Sequence, residues 1–280
     1  MIRRKRNRIY CFKDSFRNLV HNEEIIASSI REGYISLFTT SKISTPISIW
    51  NVTSWSNSLT RKEGELLSYP VTRKEVFEGL GRMKPFKAPG PDGMHTSFYQ
   101  RNWNIVKEVV VREVCLIFSS GVMPNHLNQT LITLIPKCTG ANYLGSFRPI
   151  SLCNTIYKIV TKIIVQRIRP LLDKLVSPLQ IAFVPGRRGL DNMIIMQELI
   201  HTMSTKKGNQ GYMAIKIDLE KAYDRLEWHF IRDVLNLYNL PPDTIKLIMS
   251  CISGSSILVL LNGGKLGPFL PSRGIRQGDL

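Results

Sequence analysis

No apolar run in these 280 residues approaches the roughly 18 that a membrane-spanning helix needs, the longest being stretches such as residues 257–261. The N-terminus is basic and then polar, without the apolar region of a secretory signal. A soluble, unsecreted, intracellular protein with no membrane partner is therefore expected. Cysteine is scarce. Cys11, Cys115, Cys138, Cys153 and Cys251 form no Cys-x-x-Cys pair, and an odd, scattered set makes no disulfide framework, which points to a reducing compartment. His21, His95, His126, His201 and His229 lie far from one another and from the cysteines, so no structural zinc is predicted. The sequence also lacks GxxxxGK[ST], HExxH and GxSxG, which removes triphosphate-cradling loops, zinc proteases and nucleophile-elbow hydrolases. Carboxylates are few: 21 Asp and Glu face 38 Lys and Arg, a formal charge of +17 that calls for a polyanionic partner. With 43% apolar and 21% charged residues, the chain is nonetheless composed like an ordinary folded protein.

The opening cluster Arg3-Arg4-Lys5-Arg6-Asn7-Arg8 fits a phosphate contact, a nuclear address or a solvated basic tail. Asn22 is placed to cap a helix whose Ile26, Ile30, Tyr34, Leu37 and Phe38 share one face. Residues 39–68, rich in Ser, Thr and Asn, read as a loosely ordered connection. Thr72 and Glu75 make a capping box ahead of Val76, Leu80 and Met83, and that helix must stop before the prolines and glycines of residues 87–93. A strand is expected at residues 131–135. The strongest helical signal covers 156–175, with Ile156, Ile159, Val160, Ile163 and Ile164 on one side and Lys158, Lys162, Arg169 and Lys174 on the other. Asp191 is expected to cap a further helix containing Ile194, Ile195 and Leu199. Met213, Ile215 and Ile217 alternate with Ala214, Lys216 and Asp218, the pattern of a strand ending in a carboxylate. Helices around 230–237 and 243–251 precede a hairpin of 257–261 with 265–269, turned at Asn262-Gly263.

A carboxylate at the end of an apolar strand is held by the sheet yet exposed at its rim, where it can bind a hard divalent cation. Asp218 has that placement. Five residues on, Tyr223 can turn back to floor the same pocket, pack on a sugar ring and reject a 2′-hydroxyl. A helix-capping Asp and a core Tyr are the ordinary alternatives.

Asp218 followed at this spacing by Ala222-Tyr223-Asp224 resembles the first catalytic motif of reverse transcriptases, in particular the LINE-type, non-LTR retrotransposon subgroup. The resemblance continues in order. Phe86-Lys87-Ala88-Pro89-Gly90-Pro91-Asp92-Gly93 is similar to that subgroup's entry motif, Leu134-Ile135-Pro136-Lys137 and Phe147-Arg148-Pro149-Ile150-Ser151-Leu152 to its fingers motifs, the stretch from Gln180 through Phe183 to Arg187 to its next block, and Arg273-Gly274-Ile275-Arg276-Gln277-Gly278-Asp279 to its Gln-Gly motif. It implies an α/β (α+β) fold of the right-hand polymerase type: a basic N-terminal extension over 1–70, a fingers region over 71–205 and a partial palm over 206–280, with the thumb absent. Asp218 would hold both Mg²⁺ ions, the carbonyl of Leu219 completing one coordination sphere. Tyr223 would be the sugar gate. Lys137 and Arg148 would neutralise the incoming deoxynucleoside triphosphate, Arg148 through its planar fork. Gln277 would touch the ribose side of the nucleotide, with Gly278 allowing close backbone approach. The implied partners are an RNA template and a DNA primer, for which Lys158, Lys162, Arg169, Arg187 and Arg188 are candidate sequence-blind phosphate contacts.

One carboxylate cannot build the clamp of two ions roughly 3.5 to 4 Å apart that nucleotidyl transfer uses. The resemblance places the other carboxylates in an Ala-Asp-Asp hairpin, and no adjacent Asp-Asp pair occurs in this chain. The expectations are therefore an unpaired apolar strand edge beside Asp218, a destabilised partial palm liable to aggregate, and no polymerase activity from these residues alone. A non-catalytic nucleic-acid-binding remnant is the rival reading, and an RNA-templated RNA polymerase a weaker one, because Tyr223 is bulky against ribose.

Overall fold

The computed structural model describes residues 8–14, 16–40, 57–208 and 211–277. Residues 3–7 of the basic cluster, residues 41–56 of the expected 39–68 connection and Gly278 lie outside them. A two-stranded ribbon, β1 (Phe12–Lys13) and β2 (Leu19–Val20), leads into α1 (Glu23–Phe38). Asn22 caps α1 as expected, its side chain accepting from the backbone of Glu24 and Ile25. Two capping boxes then start consecutive helices, Thr60 with Glu63 for α2 (Arg61–Ser68) and Thr72 with Glu75 for α3 (Arg73–Gly81). The expected loose connection therefore ends earlier than residue 68: a capping box reads through a polar stretch whose apolar periodicity is weak.

Helices α4 (Thr96–Arg101) and α5 (Trp103–Ser120) precede β3 (Gln129–Pro136) and β4 (Phe147–Cys153). The long helix expected over 156–175 is broken. α6 (Thr155–Ile168) gives way to a 3-10 turn at Arg169–Leu171 and then to α7 (Leu172–Leu175), because Pro170 has no N–H for the helical ladder. α8 (Gly189–Thr205) starts two residues before Asp191, which sits in its first turn instead of capping it. α9 (Trp228–Leu237), α10 (Pro242–Ser253), β5 (Ser256–Leu261) and β6 (Gly264–Phe269) complete the chain. The last two form the expected hairpin, with Asn262 at φ 50° and Gly263 at φ 97° in its turn.

The four-stranded sheet runs β4-β3-β5-β6. β3 pairs antiparallel with β4 and parallel with β5, and β5 pairs antiparallel with β6. Both edge strands carry a proline, Pro149 and Pro268, where a missing donor costs the ladder nothing. The apolar stripe of α1 covers one face: Ile26, Ile30, Tyr34 and Phe38 pack with Ile132, Leu134, Phe147, Ile257 and Val259. A second core joins α3, α5, α6 and α10 through Leu80, Val114, Ile117, Ile159, Ile163 and Leu247. Among the described residues no helix is long and apolar enough to cross a membrane.

One expected strand is missing. Residues 211–219 pair with no strand, and Met213, Ile215 and Ile217 are 81%, 73% and 79% exposed. Alternation sorts side chains onto two faces but supplies no ladder partner, and an isolated strand is not stable in water. α8 is likewise uncovered, with Leu190, Met193, Ile194, Met196 and Leu199 all exposed.

The corner between α2 and α3 hangs on Arg167 of α6. Its guanidinium pairs with Glu75 at 2.8 Å, donates to the carbonyls of Leu67, Tyr69 and Pro70, and leaves its side chain 12% exposed. Burial pushes the Glu75 carboxyl up, but the hydrogen bonds from Arg167 and Thr72 outweigh it and hold the group below its ordinary value. Arg167→Ala is expected to lower the unfolding free energy by about 3 kcal/mol, since it strands a carboxylate and three carbonyls together. Urea denaturation measures this; a loss under about 1 kcal/mol, the scale of an exposed pair, would show that the corner holds without the arginine.

Candidate active site

Gly274 stands at φ 88°, and a Cβ there would lie 2.6 Å from the Asp224 carbonyl oxygen and 2.9 Å from the Phe38 ring. Only a glycine lets residues 273–277 come this close. The approach is fixed by Gly274 N–H donating to the Leu226 carbonyl and Ile275 N–H to that of Tyr223, both at 2.8 Å, and by the Trp228 indole donating to the Gly274 carbonyl. The next residue, Arg276, is buried. It donates to the Asn128 carbonyl, Thr130 Oγ1, the Tyr157 hydroxyl and the Cys251 carbonyl, tying the turn to β3, α6 and α10. Arg273 anchors the other end, donating to the Leu37 carbonyl at the close of α1, while the Ser272 and Arg273 amides donate to that of Phe38.

Gln277 is thereby delivered to the edge of β4, where its carbonyl accepts from Ser151 N–H at 2.8 Å. Its side-chain amide faces both carboxylate oxygens of Asp224 at 3.4 Å. Beside this pair is a cavity of about 290 Å³. Lys137 from the end of β3, Arg148 and Pro149 from β4, Leu219, Lys221, Tyr223 and Asp224 from the loop before α9, Gln277, and Tyr34 and Leu37 from α1 line it. Clefts of about 550 and 720 Å³ lie elsewhere, beside Phe118 and beside Tyr143, but neither collects the sequence-predicted groups.

Five of the seven residues named in advance as nucleotide or metal ligands thus share one cavity: Lys137, Arg148, Leu219, Tyr223 and Gln277. Asp218 immediately precedes Leu219, is solvent-exposed and does not line the cavity; it sits on the irregular 211–219 segment, not at the end of a strand. Gly278 is outside the described residues. Lys137 already donates its ammonium to the Gly145 carbonyl at 2.8 Å, whereas Arg148 is exposed at the rim. Tyr223 meets the ring of Phe183 edge-on at 6.3 Å, and Phe183 holds a left-handed φ of 68°.

The proposed phosphate contacts divide. Lys158 and Lys162 are half-buried on α6, while Arg169 and Arg188 are exposed. Arg187 turns inward, its side chain 13% exposed, donating to the Val176, Ser177 and Gln180 carbonyls and pairing with Asp173 at 3.0 Å. Its guanidinium holds the 173–180 loop in place of a phosphate.

Sequence reasoning placed none of Asp224, Lys221, Tyr34 and Leu37 in the site as a ligand or wall. Asp224 is 2% exposed within a motif already singled out, and membership of that motif was the available signal, since the charged Arg225 beside it gives no hint of burial. Tyr34 and Leu37 read as core positions of a helix a hundred or more residues away, and no local pattern could join them to this cavity. Burial raises the Asp224 pKa against the pull of Lys221 and the Gln277 hydrogen bond. Burial likewise pushes Lys221 down, against Glu220 and Asp224, and pushes the Tyr34 hydroxyl up, helped by the Asp224 charge. Among the described residues no group of three His, Cys, Asp or Glu side chains converges to hold a metal ion.

Lys137, Arg148, Tyr223 and Gln277, all from the motifs singled out in the sequence, wall one basic cavity, and similarity to known proteins gives the class. Residues 135–280, more than half of the chain, match the family model described as reverse transcriptase (RNA-dependent DNA polymerase), and the chain belongs to that family. It is 28% identical over 273 residues to the Transposon TX1 uncharacterized 149 kDa protein of Xenopus laevis, covering 98% of this chain and 21% of that one. It is 25% identical over 223 residues to the Pol polyprotein from the type-2 retrotransposable element R2DM of Drosophila melanogaster, covering 77% and 20%. It is 29% identical over 222 residues to the type-1 element R2 polyprotein of Nasonia vitripennis, covering 78% and 21%. The chain spans about a fifth of the length of these curated relatives and is a reverse transcriptase domain of the non-LTR retrotransposon kind.

The raised Asp224 pKa sets the sign of a pH effect. Its ordinary value is 3.8, and a folded value above this means that the folded state holds the proton longer, so the contribution of Asp224 to stability falls as pH rises through that interval. Asp224→Asn keeps an acceptor for Gln277 without a charge to desolvate. Thermal melts of both proteins between pH 4 and pH 7 are expected to show the Asn variant gaining on wild type as pH rises; a variant that loses ground over that range contradicts the assignment.

Proposed function

We propose that the cavity between β4, α1 and the 219–224 loop is the deoxynucleoside triphosphate site of an RNA-directed DNA polymerase domain. The observation that carries this reading is the convergence of Lys137, Arg148, Tyr223 and Gln277, from four separate chain segments, on one cavity. The Arg148 fork takes two phosphate oxygens, and Lys137 adds a point charge on the same side. The Tyr223 ring walls off the space that a 2′-hydroxyl would need. Gln277, its amide aimed by Asp224, contacts the sugar side. Residues 71–205 act as fingers and 206–280 as part of a palm, with the N-terminal extension supplying α1 as one wall.

Divalent metal ions are general to the family, and Mg²⁺ supplies the Lewis acid of nucleotidyl transfer there. In this chain Asp218 and the Leu219 carbonyl are the groups that would meet it. They do not amount to a metal centre among the described residues, and the role assigned to the chain is to bind and orient. The partners are an RNA template and a DNA primer, met through Lys158, Lys162, Arg169 and Arg188. An intracellular location, including the nucleus through the basic cluster at residues 3–8, belongs to the same proposal.

Equilibrium binding of a deoxynucleoside triphosphate to the full chain tests the reading. Arg148→Ala is expected to weaken binding about tenfold or more, the scale of a lost charge-assisted hydrogen bond, and Lys137→Ala less. Tyr223→Ala is expected to bring ribonucleotide affinity up to that of the deoxynucleotide. Binding indifferent to Arg148 removes the assignment. Primer extension by these 280 residues alone is expected to be undetectable; DNA synthesis lost on Asp218→Ala would show that they form a complete catalytic centre after all.

A further inference from the structure

The motif at residues 86–93 contributes nothing to the nucleotide cavity, yet it begins with an aromatic ring that folding does not use. Phe86 is 75% exposed, so at least one ring face stands open to solvent. The Arg101 guanidinium lies 5.8 Å from the ring centroid. The ring is not on a loose loop. Gln100 donates to the Met83 carbonyl at 2.9 Å, Ser97 N–H to that of Pro85 at 3.1 Å, and His95 Nδ1 lies 3.0 Å from that of Lys87, so the 83–87 backbone is fastened to the α4 region on both sides of Phe86. Pro85 stiffens the chain just before it.

The surroundings are cationic. Between residues 82 and 101 there are four Lys or Arg against one carboxylate, Asp92. Arg82 is occupied by Glu78 at 3.6 Å, and Lys84 and Lys87 on either side of the ring are exposed. An open aromatic face flanked by lysines is a poor core for a protein interface, where lysine is depleted, and it matches an unpaired base with its flanking phosphates.

The patch is also continuous with the basic helix. Gly90 is pressed onto the start of α6 so tightly that a Cβ would lie 2.4 Å from Asn154 Oδ1. The Asp92 amide donates to that oxygen, and Thr155 Oγ1 donates to the Met94 carbonyl. Lys158 and Lys162 follow one and two turns further along the same helix.

We propose that Phe86, backed by Arg101 and flanked by Lys84 and Lys87, is a stacking platform for an unpaired base of the single-stranded RNA template. The identity of the strand rests on the polymerase reading; the stacking itself does not.

Fluorescence anisotropy of the full chain with a labelled single-stranded 12-mer RNA, a single-stranded DNA of the same sequence and an RNA duplex separates the possibilities. Phe86→Ala is expected to weaken binding of the single-stranded RNA about 5- to 100-fold, the range for one lost base stack, and to leave the duplex unchanged. Phe86→Trp is expected to restore affinity and to add tryptophan quenching on RNA binding. Lys84→Ala with Lys87→Ala is expected to reduce the slope of log affinity against log salt by about 1.4, at about 0.7 per phosphate contact on a single strand. Single-strand affinity indifferent to Phe86→Ala, an equal loss on duplex, or a Trp variant that binds without quenching overturns the platform. Dependence on Phe86 with DNA but not RNA overturns the template assignment. Each of these reads strand binding alone, so failure here leaves the Arg148-dependent nucleotide site standing, and failure of that site leaves the platform standing.

Discussion

The candidate site depends on one close backbone approach. Gly274 passes the carbonyl of Asp224 at a distance no side chain could tolerate, and that contact carries Gln277 to β4 and to the Asp224 carboxylate. The arrangement is fastened from both sides. Arg276 is sunk among groups from β3, α6 and α10, and Arg273 closes the end of α1. A buried guanidinium with most of its donors directed at carbonyls and hydroxyls is costly to misplace, so the turn has one stable seating. The cavity lined by Lys137, Arg148, Tyr223 and Gln277 is where that seating meets the loop of residues 219–224.

The positive charge of the chain has two uses that composition cannot tell apart. Arg167, Arg187 and Arg276 point inward and bridge backbone carbonyls that no helix or strand satisfies. Five donors in a rigid fork make arginine suited to that work. Arg148, Arg169, Arg188, Lys84 and Lys87 stay exposed, where their charge is open to solvent and to any polyanion that approaches. The formal charge of +17 therefore overstates the cationic surface, and Arg187 is the plainest case of a cation that a sequence reading assigns to phosphate and the fold assigns to a loop.

Apolar surface is unevenly settled. α1 and the sheet share a closed core, as do α3, α5, α6 and α10, while α8 and the 211–219 segment show water the side chains that their patterns mark as buried. Asp218 belongs to this second group. Its position in the chain is that of a strand-end carboxylate, but the strand forms only where a neighbour offers a ladder, and the two sheet edges here are held by β4 and β6. The Asp218 carboxylate is consequently less constrained than the Asp224–Gln277 pair a few residues away.

Local signals in the sequence determined the elements whose cause is local: the Asn22 cap, the Thr72–Glu75 box, the Asn262-Gly263 hairpin, the basic stripe of α6 and the order of motifs that announced the family. Each depends on residues within a few positions of one another, where spacing is geometry. The tertiary structure alone decided what lies across from what. It brought Tyr34 and Leu37 to the wall of a cavity formed by residues 137 to 277, buried Asp224 against Gln277, turned Arg187 inward and left residues 213–217 without a partner. Those outcomes rest on burial and on contacts whose separation runs from about ten residues at Arg187, through 53 between Asp224 and Gln277, to a hundred or more for Tyr34 and Leu37, and periodicity along the chain encodes none of them.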